Sequence, residues 1–177
     1  MAYSAGGQAR IALTDTAELD CTGRVEVLGA FDRSTVRAYG QSRVSASGQA
    51  HVDATDRTRV VLSGHATAAA SSRALVNAGD ESFVEARDSS KVVATDRARV
   101  FARGSATVLA HQSASVVAWE DAQVLADGHA VVEAHGWSWV LAGPDVTVHL
   151  HDEAALIRLD SVASHASRPT SATSPAA

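Results

Sequence analysis

Trp119, His135 and His151 stand sixteen residues apart, and His149 lies two residues before the last of them. Imidazoles at a fixed spacing suit a transition metal when three or four donors converge on one ion. The same sixteen-residue column upstream holds Thr22, Tyr39, Thr55, Ser71, Arg87 and Arg103. It therefore reads as a ladder of polar turn residues, and no metal ligand is assigned. Asp15, Asp56, Asp80, Asp88, Asp96 and Asp152 stand singly, without the paired glycines and nine-residue period of calcium-binding repeats. A turn role accounts for them, because Asp can hydrogen-bond nearby backbone. The twin segments ATDRTRVV (54–61) and ATDRARVF (94–101) read as one turn solution used twice. Cys21 replaces an Ala of the repeat described below and reads as a small core residue. The chain carries no P-loop, no Gly-x-Gly-x-x-Gly after a strand and no distinctive Ser–His–Asp set. No insertion interrupts the repeat to build a cleft. No catalytic or cofactor-binding residue is assigned, no cofactor is expected, and the expected role is non-enzymatic.

The elements that carry these residues are legible in ATVLAHQSASVVAWEDAQVLADGH (106–129), where Val recurs at 108, 116 and 124 with Ala two residues before and after each. Octads of the form small–x–Val–x–Ala–x–Asp/Gly–x begin at residue 9 and run to 153, eighteen in all, with one extra residue placed in the turn Phe31–Asp32–Arg33. Position 3 is Val except at Ile11, Leu19 and Ala68; position 5 is Ala except at Leu13, Cys21, Gly29, Leu62 and Leu150. Alternation puts positions 1, 3 and 5 on one face of a short strand. They are small and apolar, so they are the buried face. Positions 2 and 4 face outward, and positions 6 to 8 turn the chain, with Gly or Asp at the turn. A strand this short cannot bury itself alone. Stacking successive coils pairs their backbones and makes one core, which predicts an all-β chain forming a single β-solenoid.

Two octads per coil give two flat parallel sheets facing across a narrow gap that Ala–Val–Ala layers fill. Three octads would leave a triangular void, which close packing disfavours. The expectation is sixteen residues per coil and about nine coils. The outward fourth position then reads Val61, Asn77, Val93, Leu109, Leu125 and Leu141 along one sheet, flanked at position 2 by Leu75 and Trp139. A row of aliphatics on successive coils marks an interface, so Val61, Leu75, Val93, Leu109, Leu125, Trp139 and Leu141 form the candidate association surface.

Residues 1–8 are expected to be loose, 9–153 the solenoid, 154–163 a C-terminal cap, and 164–177, rich in Ser, Thr, Ala and Pro, a disordered tail. Hydrophobic residues make up 46% of the 177 but aromatics only 5%, so the core is thin and filled by small groups. The net charge of −5 has no basic patch, which argues against a nucleic-acid partner. No apolar run reaches membrane-spanning length and the N-terminus lacks a secretory pattern, so a cytoplasmic location is expected.

STVRAYGQSRVSASGQ (34–49) resembles the tandem sixteen-residue repeats of bacterial ice-nucleation proteins, which also divide into two octads of small residue, strand and Gly-containing turn. The resemblance implies a solenoid. It does not extend to the outward Thr-x-Thr rows proposed to order water in that family, since Thr35, Thr67, Thr107 and Thr147 are isolated. Shape and length are also similar to the bactofilins, β-solenoids that polymerise end to end. The expected function is a self-associating structural scaffold, pairing through the aliphatic row or the coil ends. The alternative is a module whose flat face binds a partner protein, a polysaccharide or ice.

Overall fold

The computed structural model describes residues 1–159 and is all β. Twenty strands run from β1 (Ala2–Gly7) to β20 (Ala155–Arg158) and alternate between two ten-stranded sheets, odd-numbered strands in one and even-numbered strands in the other. Every strand pairs in parallel with the strand two places on, so each coil contains two strands and sixteen residues, as in Val108↔Val124 and Val124↔Val140. The solenoid, its two sheets and its sixteen-residue coil are those the octad dictates. Ten coils at roughly 4.8 Å give a rod about 43 Å from first rung to last.

The core is one thin continuous layer of small groups. Val116 and Val124, with Ala114, Ala118, Ala122 and Ala126 around them, are buried, and the same holds from Leu13 to Val146. At position 1 the hydroxyls of Ser34, Ser90 and Ser138 are buried without a partner, whereas three others donate back to the turn before them: Ser42 Oγ to the Tyr39 carbonyl at 2.9 Å, Ser82 Oγ to Gly79 at 2.7 Å, Thr58 Oγ1 to Thr55 at 2.6 Å. These contacts keep a polar atom satisfied inside an apolar layer.

Turn position 7 has positive φ at every occurrence from Gly7 to Asp152 except Pro144, whose ring forbids it. Its amide is also the one the coil-to-coil ladder omits. The amides of Tyr39 and Gln41 donate to the preceding coil's Cys21 and Gly23 carbonyls at 3.0 and 2.7 Å. The Gly40 amide between them instead donates to the Asp56 carboxylate of the following coil at 2.9 Å. The same contact joins Gly64 to Asp80 at 2.8 Å, Ser72 to Asp88 at 3.0 Å and Asp80 to Asp96 at 3.3 Å. The turn aspartates thus bond a neighbouring coil's backbone, where the sequence reading had each bonding its own. Asp56 and Asp96, of the two twin segments, do the same work on opposite edges of the rod.

Three expectations are corrected. Residues 1–8 are not loose, because Ala2–Gly7 forms β1 and pairs with β3 (Glu18–Gly23) along its whole length. Residues 154–159 continue the ladder as a further rung although their sequence departs from the octad. Leu156 takes the Val position opposite Val140, and Arg158 the Ala position opposite Ala142, so twenty rungs replace the eighteen. Residues 160–163 of the expected cap and the tail at 164–177 lie outside the described residues. The extra residue sits within β4 (Glu26–Ala30), where the register shifts against β2 (Arg10–Leu13) and β6 (Arg43–Ala46). Leu28 bulges out half-exposed while Ala30, in place of Gly29, stacks between Leu13 and Ala46. With the extra residue in the strand, the turn keeps its length and Asp32 accepts the Asp15 amide at 3.1 Å as the other turn carboxylates do. A strand absorbs one extra residue as a bulge.

Candidate functional site

The aliphatic row is assembled by cross-coil register. Asn77 pairs with Val61 and Val93, Val93 with Leu109, Leu109 with Leu125, and Leu125 with Leu141, all on the outer face of the even-numbered sheet. Ile157 extends the row by one coil opposite Leu141 and is 49% exposed. Treating 154–159 as a cap had hidden it, although its octad position was readable. Val61 and Leu125 are exposed, and Val93, Leu109 and Leu141 are half-buried. Leu75 and Trp139 stand on the same face at position 2, four coils apart, so they flank the row without joining each other. Near β4 the face dips into a shallow groove lined by Leu28, Ser45, Val61 and Asn77, so the flat apolar surface runs from Val93 to Ile157. The opposite sheet is mixed. Its fourth positions read Glu85, Phe101, Val117, Glu133 and His149, and the Arg103 guanidinium lies 4.9 Å from the Phe101 ring.

The histidine column lies at the edge of that opposite sheet, in the turns after β15 (Ser115–Ala118), β17 (Val131–Ala134) and β19 (Thr147–Leu150). Trp119 stacks on His135 at 4.1 Å between centroids and 6° between planes, and His135 stacks on His151 at 4.4 Å and 7°. Parallel in-register coils bring these turns into a flat ladder, as the spacing implied. Sequence spacing did not reveal Glu133, which projects from β17 into the same place. Its Oε1 lies 3.0 Å from His135 Nε2 and 3.5 Å from His151 Nε2. The signal available was the pair of position 4 and position 6 residues, which also brings Glu85 and Arg87 to 2.6 Å.

Cys21 is fully buried, and burial with the adjacent Asp20 carboxylate pushes its thiol up to about 11. Burial and a raised thiol disfavour the thiolate, in keeping with a core role. The described residues contain no helix long and apolar enough to cross a membrane. No family model, curated protein or solved structure matches the chain. The structure thus shows a parallel solenoid of sixteen-residue coils, and no match supports a specific likeness to ice-nucleation proteins or to bactofilins.

Proposed function

We propose that this protein is a non-enzymatic structural rod that self-associates side to side through its aliphatic face. The observation that carries the reading is the unbroken register Val93–Leu109–Leu125–Leu141–Ile157 on one flat sheet. Burying such a row on a second copy removes apolar surface from water at about 25 cal/mol per Å². A rigid rod lets every rung contribute without ordering any loop.

Two features favour this face over the coil ends. Arg158 occupies the inward fifth position of the last described strand, where a small apolar residue belongs. Its Nη1 donates to the carbonyls of Gly143 and Val146 at 3.2 and 2.8 Å. One coil earlier the carbonyl equivalent to Val146, that of Ala130, is taken by the Thr147 amide of the following coil. Arg158 therefore occupies a bonding position that a further coil would need, and it stands exposed there as a charge of the kind that guards sheet edges. At the other end Tyr3 replaces Val at position 3 and is half-exposed, a poor match for a coil of Val and Ala.

The face is modest. Four-residue strands over the five apolar rungs from Val93 to Ile157 present about 300 Å² per copy, so a dimer on those rungs buries about 600 Å² in total and nears the roughly 1,200 Å² of specific interfaces only if the other five rungs of the face also pack. Association should therefore be concentration-dependent. Light scattering over a dilution series is expected to show a dimer that dissociates, and Leu109→Asp with Leu125→Asp is expected to give a folded monomer throughout. A double variant that still dimerises like the parent removes this face from the reading. A parent monomeric at every concentration favours instead a rod that binds a partner protein or a polysaccharide.

A further inference from the structure

We propose that Glu133, His135 and His151 form a binding site for a divalent late transition metal of the zinc class, bridging the two coils that carry β17 and β19. The ligand atoms of all three residues lie within 4.8 Å of one another. Around a tetrahedral ion with bonds near 2.0–2.1 Å, neighbouring donor atoms are about 3.3–3.4 Å apart. Two of the three edges are already close to that, at 3.0 Å from Glu133 Oε1 to His135 Nε2 and 3.5 Å to His151 Nε2. The remaining edge lies between two imidazoles stacked at 4.4 Å and 7°, so binding requires His151 and His135 to rotate out of the stack until both Nε2 lone pairs aim at one ion.

The surroundings separate this cluster from an ordinary surface ion pair. Glu85 and Arg87 occupy the same two octad positions and satisfy each other with two contacts, at 2.6 and 3.1 Å. A guanidinium has no lone pair to offer a metal, so that pair is complete. At Glu133 the two bases facing one carboxylate oxygen are both imidazoles, the commonest transition-metal ligands. His135 is held between Trp119 and His151, with only 14% of its side chain exposed, so its Nε2 is kept beside the Glu133 carboxylate and the more exposed His151 is the ring free to turn. Asp152 lies 3.9 Å from His135 Nδ1, and its carboxylate accepts the Gly136 amide at 3.3 Å. At 3.9 Å Asp152 adds negative charge beside His135 without a hydrogen bond to it. Three protein donors leave a fourth position for water or an external ligand. With Glu133 and His135 on one coil and His151 on the next, the ion would staple neighbouring coils near the C-terminal end of the rod.

The test is calorimetric titration of the full chain with Zn²⁺, beside tryptophan emission during titration with paramagnetic Ni²⁺. Saturable one-to-one Zn²⁺ uptake is expected, together with quenching by Ni²⁺ that Trp119→Thr largely removes. His151→Thr and Glu133→Gln are each expected to weaken Zn²⁺ binding by about tenfold or more. Thr is already used in this turn column at Thr22 and Thr55, so His151→Thr should fold as the parent does, checked by its thermal midpoint without metal. Lack of saturable uptake, or uptake unchanged in both His151→Thr and Glu133→Gln, overturns the proposal. The latter result would place the ion among the other histidines.

Discussion

At the scale of single residues, turn position 7 faces two demands that only a few side chains meet together. Its φ is left-handed, which favours Gly, and the amide at the same position one coil earlier needs an acceptor, which favours a carboxylate or amide side chain. Gly satisfies the first demand alone. Asp satisfies the second and tolerates the first. Gln112 and Glu120 also serve, accepting from the Asp96 and Gly104 amides, both at 2.8 Å. Asp80 separates the two terms, since it has a φ of 53° and holds the Gly64 amide at 2.8 Å. Asp80→Asn keeps both features and should stay within about 0.5 kcal/mol of the parent in urea unfolding. Asp80→Gly loses the hydrogen bond and should cost about 1 kcal/mol. Asp80→Ala adds the strain of a left-handed Ala and should cost about 2 kcal/mol. If Gly and Ala prove equally costly, the backbone term is wrong; if Gly costs nothing, the inter-coil hydrogen bond is.

At the scale of elements, the strand and not the turn holds the one irregularity. In β4 Leu28 is expelled, Gly29 and Ala30 are both buried, and the Phe31 ring folds to within 2.3 Å of where a Gly29 Cβ would stand. Removing Leu28 leaves Val–Glu–Val–Gly–Ala–Phe–Asp–Arg, which fits the octad without exception. The Leu28 deletion should therefore fold and unfold at a temperature no lower than the parent's, with the bulge and the neighbouring groove gone. Circular dichroism through a melt decides the matter. A clearly lower midpoint would mean that the bulge stabilises the coils around it.

At the scale of the whole molecule, the rod is a one-dimensional stack, so its ends determine whether it stays discrete. Arg158 places a charge where every other coil of its sheet from β4 to β18 carries Ala or Leu62. Arg158→Ala restores the repeat residue and frees the Gly143 and Val146 carbonyls. Scattering is expected to show elongated species absent from the parent, growing with concentration and unaffected by Leu109→Asp with Leu125→Asp. If Arg158→Ala keeps the mass of the parent, the edge is guarded by something other than this side chain.

Much of this protein was determined by the sequence alone, because strand alternation and turn chemistry act over a few neighbouring residues. Val108, Val116 and Val124 point inward for the same local reason, and Leu109 and Leu125 point outward from the next position. Sixteen residues per coil followed from the volume that Ala and Val can fill, and the aliphatic row and stacked histidines followed from that period. Other features depended on what lies one coil away. Ala2–Gly7 and Ala155–Arg158 break the small–Val–Ala pattern, yet they are strands, because backbone bonds to an existing coil do not depend on side-chain type. The acceptor role of Asp56 toward Gly40 is invisible locally, since nothing within the turn marks which amide the ladder omits. The bulge at Leu28 leaves the turn at Asp32 its regular length and its contact with the Asp15 amide, a relation visible only between coils. Glu133 reached His135 and His151 only when a strand position and two turn positions met at one edge, a convergence set by the stacking of coils in three dimensions.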